Sequence, residues 1–74
     1  MRQKVMRSQA ALATALEVWA ASRERAVAEL SRVASHLARQ GRELDAAHFQ
    51  SAARSLMVKA IHERARAAAL REAA

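Results

Sequence analysis

The sequence predicts an all-α fold: an antiparallel, coiled-coil-like two-helix hairpin, completed by self-association or by a helical partner. Three observations carry this reading. Gly41 is the only glycine among 74 residues and there is no proline, so the chain has a single natural break. The stretches on either side are rich in Ala, Leu, Arg, Glu and Gln, which lose little on entering a helix. Both stretches carry apolar residues at alternating steps of three and four, the pattern of a one-sided helix.

Residues 1–7 are a basic start. Ser8 is the first candidate N-cap, with a start near Lys4 as the alternative because Val5 already joins the apolar stripe. Helix one is expected over about 8–40. Its stripe runs Val5, Leu12, Leu16, Trp19, Ala26, Leu30, Val33, Leu37, with Gln9 and Arg23 in the two slots that are not apolar. Arg25, Arg32 and Arg39 recur at steps of seven on the opposite face. Arg39 falls in the last turn, where a cation suits the helix dipole.

Gly41 fits the left-handed position after a helix C-cap. The turn is expected over 41–45, with Asp45 as N-cap of helix two. That helix is expected over about 46–70 and frays towards Ala74. Its stripe is Phe49, Ala53, Leu56, Ala60, Glu63, Ala67 and Leu70, flanked by Met57 and Ile61. The whole chain, 1–74, reads as one domain.

A short turn makes the helices antiparallel neighbours, so facing residues share a constant number sum. A sum of 86 sets Leu37 against Phe49, Val33 against Ala53, Leu30 against Leu56 and Ala26 against Ala60. It then sets Arg23 against Glu63, Trp19 against Ala67 and Leu16 against Leu70. The two charged residues of the stripes therefore meet with opposite sign, as a seam ion pair. Two apolar flanks remain beside the seam, and Trp19, Val27, Ala34, Met57 and Ile61 are the candidate protein-binding residues. A chain this short buries only about 60% of its unfolded surface. Without cysteine it has no disulfide to compensate, so a partner is expected.

Catalytic chemistry is not indicated. His36, His48 and His62 are spread along the helices: His48 and His62 lie about 21 Å apart by helical rise. Two histidines across the turn are a poor zinc site. No nucleophile elbow or glycine-rich phosphate loop is present. The reading is a non-enzymatic protein with no cofactor and no metal.

A net charge of +6 suits an acidic partner. The Arg25/Arg32/Arg39 row, with steps of about 10 Å, makes a basic face that a homodimeric four-helix bundle would use to bind RNA or other nucleic acid. No aromatic residues are interleaved with it for base stacking, so nucleic acid ranks behind a protein partner. No apolar run reaches the ~18 residues of a membrane span. With no secretory apolar segment and no cysteine, a cytoplasmic location is expected.

From about Leu16 to Arg66, two thirds of the chain, the pattern resembles the small hairpin co-chaperones of bacterial type III secretion needle subunits. The residues that carry the resemblance are Ala38-Arg39-Gln40-Gly41 closing helix one, Phe49-Gln50 early in helix two where that family often has Tyr-Gln, Ala53-Arg54-Ser55-Leu56, and Ala60-Ile61. The resemblance implies a bacterial, non-enzymatic protein that pairs with a tetratricopeptide-like chaperone. Together they would hold an aggregation-prone needle subunit monomeric before export.

Overall fold

The computed structural model describes residues 2–73, with side chains from Arg7 to Ala73. Two helices, α1 (Arg2–Arg39) and α2 (Glu43–Ala73), form an antiparallel hairpin 59 Å long. The described residues contain no strand, and the all-α hairpin is as expected.

The helix ends differ from the sequence reading. α1 begins at Arg2, so Ser8 sits inside the helix and is not its cap; the start near Lys4 is the better of the two readings. The side chain of Val5 lies outside the described residues. α2 begins at Glu43, three residues early. Arg42 is the N-cap, because its carbonyl accepts the first helical bond from the Ala46 N–H at 3.0 Å. Asp45 instead sits in the first turn, where its carboxylate takes the Arg42 guanidinium at 2.7 Å. Glu43 and Asp45 also place negative charge at the positive end of the α2 dipole.

The turn is shorter because α1 ends in a Schellman motif. The Arg42 N–H donates to the Leu37 carbonyl at 2.9 Å and the Gly41 N–H to the Ala38 carbonyl at 3.0 Å. Gly41 holds φ at 79°, the left-handed region. The chain therefore re-enters a helix two residues after Gly41, and the hairpin closes tightly.

The seam is built from two columns with a seven-residue repeat. One column is small: Ala13, Ala20, Val27 and Ala34 of α1 beside Ala46, Ala53, Ala60 and Ala67 of α2. All but Val27 are buried, and Val27 is half-buried. The other column is bulky: Leu16, Arg23, Leu30 and Leu37 beside Phe49, Leu56, Glu63 and Leu70. Here only Leu16 and Leu37 are buried. This corrects half of the predicted α1 stripe. Trp19 (51% exposed) and Val33 (37%) lie at the edge and not in the seam, and Leu12 and Ala26 are half-buried there. Alanines occupy the deep positions because two helix backbones can close on one another only where side chains are small.

No side chain larger than alanine is fully buried among the described residues. The hairpin is a zipper of alanines, with Leu30, Phe49, Leu56 and Leu70 left half-covered at one margin.

Adding a β-carbon at Gly41 would meet no atom within 4 Å, so the cost of a side chain there is backbone strain alone. Gly41→Ala should destabilise the protein by about 1 kcal/mol, and Gly41→Asn by less. In a domain of this size each kcal/mol is worth about 4–8 °C of melting temperature. Equal melting of wild type and Gly41→Ala would show that the left-handed turn is dispensable.

Candidate interaction face and its ion pairs

Among the described residues three ion pairs cross between the helices, from mid-length towards the end away from the turn. The first is the predicted one: Arg23 Nε donates to Glu63 Oε1 at 2.7 Å. It occupies the bulky column, where both residues reach out of the seam by flexible stems. The Glu63 side chain is 14% exposed and that of Arg23 35%.

The other two were not anticipated, and they line the edge next to the alanine column. Arg64 grips Glu24 with both arms, Nε to Oε2 at 2.7 Å and Nη2 to Oε1 at 2.5 Å. Arg71 does the same to Glu17, at 2.9 and 2.6 Å, and its Nη2 also donates to Thr14 Oγ1 at 3.1 Å. The signal was present in the sequence. Glu17 and Glu24 stand seven apart on α1, Arg64 and Arg71 seven apart on α2, and each pair sums to 88. That sum describes the neighbouring edge of a seam whose bulky column sums to 86.

These forks perturb the carboxylates as their geometry requires. Hydrogen bonds from Arg71 hold Glu17 below its ordinary pKa, and those from Arg64 do the same for Glu24, each against a partial loss of hydration. The Arg64 and Arg71 guanidinium groups are shifted upward by the same bonds.

Beyond the ion pairs, the same edge opens towards the turn into a shallow groove. It is lined by Val27, Ser31, Gln50, Ala53, Arg54 and Met57. Met57 (37% exposed) and Ile61 (57%) lie on this side. The structure thus brings Val27 and Met57 together. It removes Ala34 from the candidate interface, because Ala34 is buried in the alanine column. Trp19 lies across the seam, on the margin of the bulky column.

That second margin is the larger apolar surface. Leu30, Phe49, Leu56 and Leu70 are each half-buried, and Trp19 and Val33 extend it outward along α1. On the α2 side it is bounded by exposed Lys59 and Arg66. The Arg23–Glu63 pair interrupts it near mid-length.

The predicted basic row is exposed, but Arg32 is tied to Glu29 at 2.6 Å. Arg25 and Arg39 form no ion pair among the described residues. His36, His48 and His62 are exposed. Among the described residues no group of three or more His, Cys, Asp or Glu side chains converges to hold a metal, and no helix is long and apolar enough to cross a membrane. No family model, curated protein or solved structure matches the chain.

Two predictions follow from the charges. In a double-mutant cycle of Arg23→Met and Glu63→Leu, each single change should cost about 1–2 kcal/mol. That lies between the value of an exposed pair and that of a fully buried one. The double change should recover most of the loss; additive losses by thermal melting would mean the two side chains do not support one another.

The pH dependence has a defined sign. Glu17 and Glu24 titrate lower in the folded chain than in the unfolded one. Their contribution is complete above the ordinary glutamate value of 4.5 and is lost as pH falls through the lowered folded values. The gap in melting temperature between wild type and an Arg64→Gln/Arg71→Gln variant should therefore be widest near neutrality and close as the solution is acidified. A gap independent of pH would contradict the paired geometry.

Proposed function

We propose that the chain is a non-enzymatic protein-interaction module whose working surface is the open margin of the bulky column. One observation carries this reading: among the described residues every fully buried side chain is an alanine, while Leu30, Phe49, Leu56 and Leu70 are half-covered on a single side. Burying the rest of a large apolar side chain is worth about 25 cal/mol per Å². A second helical layer over this margin supplies that burial. An alanine seam alone provides little of it.

The resemblance noted in the sequence gives such a layer a biological form, a tetratricopeptide-like chaperone that shares a secretion subunit with this chain in a bacterial cytoplasm. The face itself asks for an apolar helical surface with a polar complement at its centre. Trp19 and Val33 thereby replace Met57 and Ile61 as the decisive contacts. The Arg25/Arg32/Arg39 row lies off this margin, and Glu29 offsets part of its charge; this favours protein over nucleic acid.

Trp19 is the only tryptophan and stands on the margin, so it reports its own coverage. Its emission should shift to shorter wavelength as protein concentration rises through the micromolar range, or when a helical-repeat chaperone is added. Val33→Glu should abolish the shift. Met57→Glu and Arg25→Ala/Arg39→Ala should leave it in place, and raising the salt should weaken it little. Loss with Met57→Glu and retention with Val33→Glu would move the interface to the opposite groove. A steep salt dependence would favour the nucleic-acid reading.

A further inference from the structure

We infer that the open margin is filled by a second copy of this chain, two hairpins packing face to face with their turns at the same end. This rests on the interaction face proposed above and names its occupant. Two features of the molecule support it: the surface left uncovered, and the placement of charge along it.

The hairpin exposes 5586 Å² at a mass of 8.1 kDa. A compact monomer of that mass exposes about 4,500 Å² by the usual scaling of surface with size. The excess of roughly 1,000 Å² matches the ~800 Å² that each partner contributes to a stable interface. A second hairpin of the same 59 Å length covers the margin from end to end.

Charge then selects the arrangement. Arg23 lies about 27 Å from Gly41 by helical rise, close to the middle of the 59 Å hairpin. Consider first two copies with their turns at opposite ends. Each α1 then lies on the other α1, and each α2 on the other α2. Arg23 faces Arg23, Glu63 faces Glu63, and Lys59 faces Arg66, all with like sign at the centre of an apolar face.

With the turns at the same end, each α1 lies on the partner's α2 at equal height. The constant-sum rule that holds within the hairpin now holds between hairpins. Arg23 meets the partner's Glu63, so two intramolecular pairs become one four-membered alternating cluster. Trp19 lies level with the partner's Arg66, a cation against an aromatic face. Val33 lies level with the partner's Ala52, large against small. Only this arrangement is self-complementary, as a two-fold interface must be.

The absence of cysteine makes the arrangement directly measurable. Leu44, at the hairpin tip, is 88% exposed, so a Leu44→Cys variant accepts a spin label without disturbing the seam. Sedimentation at tens of micromolar should give a dimer. Dipolar spectroscopy should give a label separation below about 30 Å, from interaxial distances of 8–10 Å plus the label arms. A separation near the full 59 Å length would overturn the arrangement. A cooperatively melting monomer would overturn self-association. If that monomer still gives the Trp19 emission shift with a helical partner, the interaction face stands and only its occupant was misassigned. Arg23→Glu and Glu63→Arg should each give monomers, and the two together should restore the dimer. A dimer that withstands Trp19→Glu and Val33→Glu but is lost with Met57→Glu would overturn both readings.

Discussion

Close approach of two helix backbones along an alanine column is the constraint on which the other features of this protein depend. Alanines at a seven-residue spacing, interrupted in α1 only by half-buried Val27, let α1 and α2 approach closely where Ala13, Ala20 and Ala34 meet Ala46, Ala53, Ala60 and Ala67, and they leave little room for larger side chains in the deepest part of the seam. Leu30, Leu56, Leu70 and Phe49 are displaced to one margin as a result. Polar edges follow too: once the backbones are close, the residues beside the alanines are near enough for Glu17–Arg71 and Glu24–Arg64 to form two-armed bridges. The tight Schellman turn at Gly41 is short enough to start the seam at Ala46, directly after the first turn of α2 opens.

A repeat of seven alanine-lined residues is degenerate, because sliding one helix by seven sets alanine on alanine again. Within one chain the turn forbids the slide. Between chains, or in an opened hairpin, only the polar groups forbid it. A slip of seven places Arg23 against Leu56 or Leu70 and leaves Glu63 without its partner. The cost of a partly buried, unpaired charge makes the wrong alignment unfavourable even where the right one gains little. The two exposed forks act in the same direction, more weakly because water screens them. Register is thus specified by what a misaligned pairing would lose.

Helix number, helix type, the site of the turn and the bulky column were all legible in the sequence, since lone Gly41 and the Leu16/Leu30/Leu37 spacing admit few alternatives. The Arg23–Glu63 contact followed from that column alone. The second column was misread because side-chain size was taken as a measure of depth. Trp19 and Val33 look like core residues by hydrophobicity, yet a two-helix seam is too narrow for them, and alanine occupies its deepest positions. The same error placed Ala34 on a binding flank. The helix ends were misjudged for a different reason: Ser8 and Asp45 have the side chains of good caps, but nothing interrupts the helix before Ser8, and Asp45 finds Arg42 as a partner.

An apolar margin by itself would accept almost any amphipathic helix. The Arg23–Glu63 pair at its centre changes that. A partner that covers the margin with a continuous apolar ridge must strip water from both charges and return nothing, which costs more than the added apolar area near the pair gives back. A partner that brings its own acid beside Arg23 and its own base beside Glu63 keeps every hydrogen bond and adds new ones. In the proposed interface the pair would therefore act as a filter: the leucines on either side would supply the affinity, and the two charges would decide which surfaces fit. Partners that pass the filter have opposite charges at matching heights near mid-length. A second copy of the hairpin, aligned turn to turn, meets that requirement without any further adjustment.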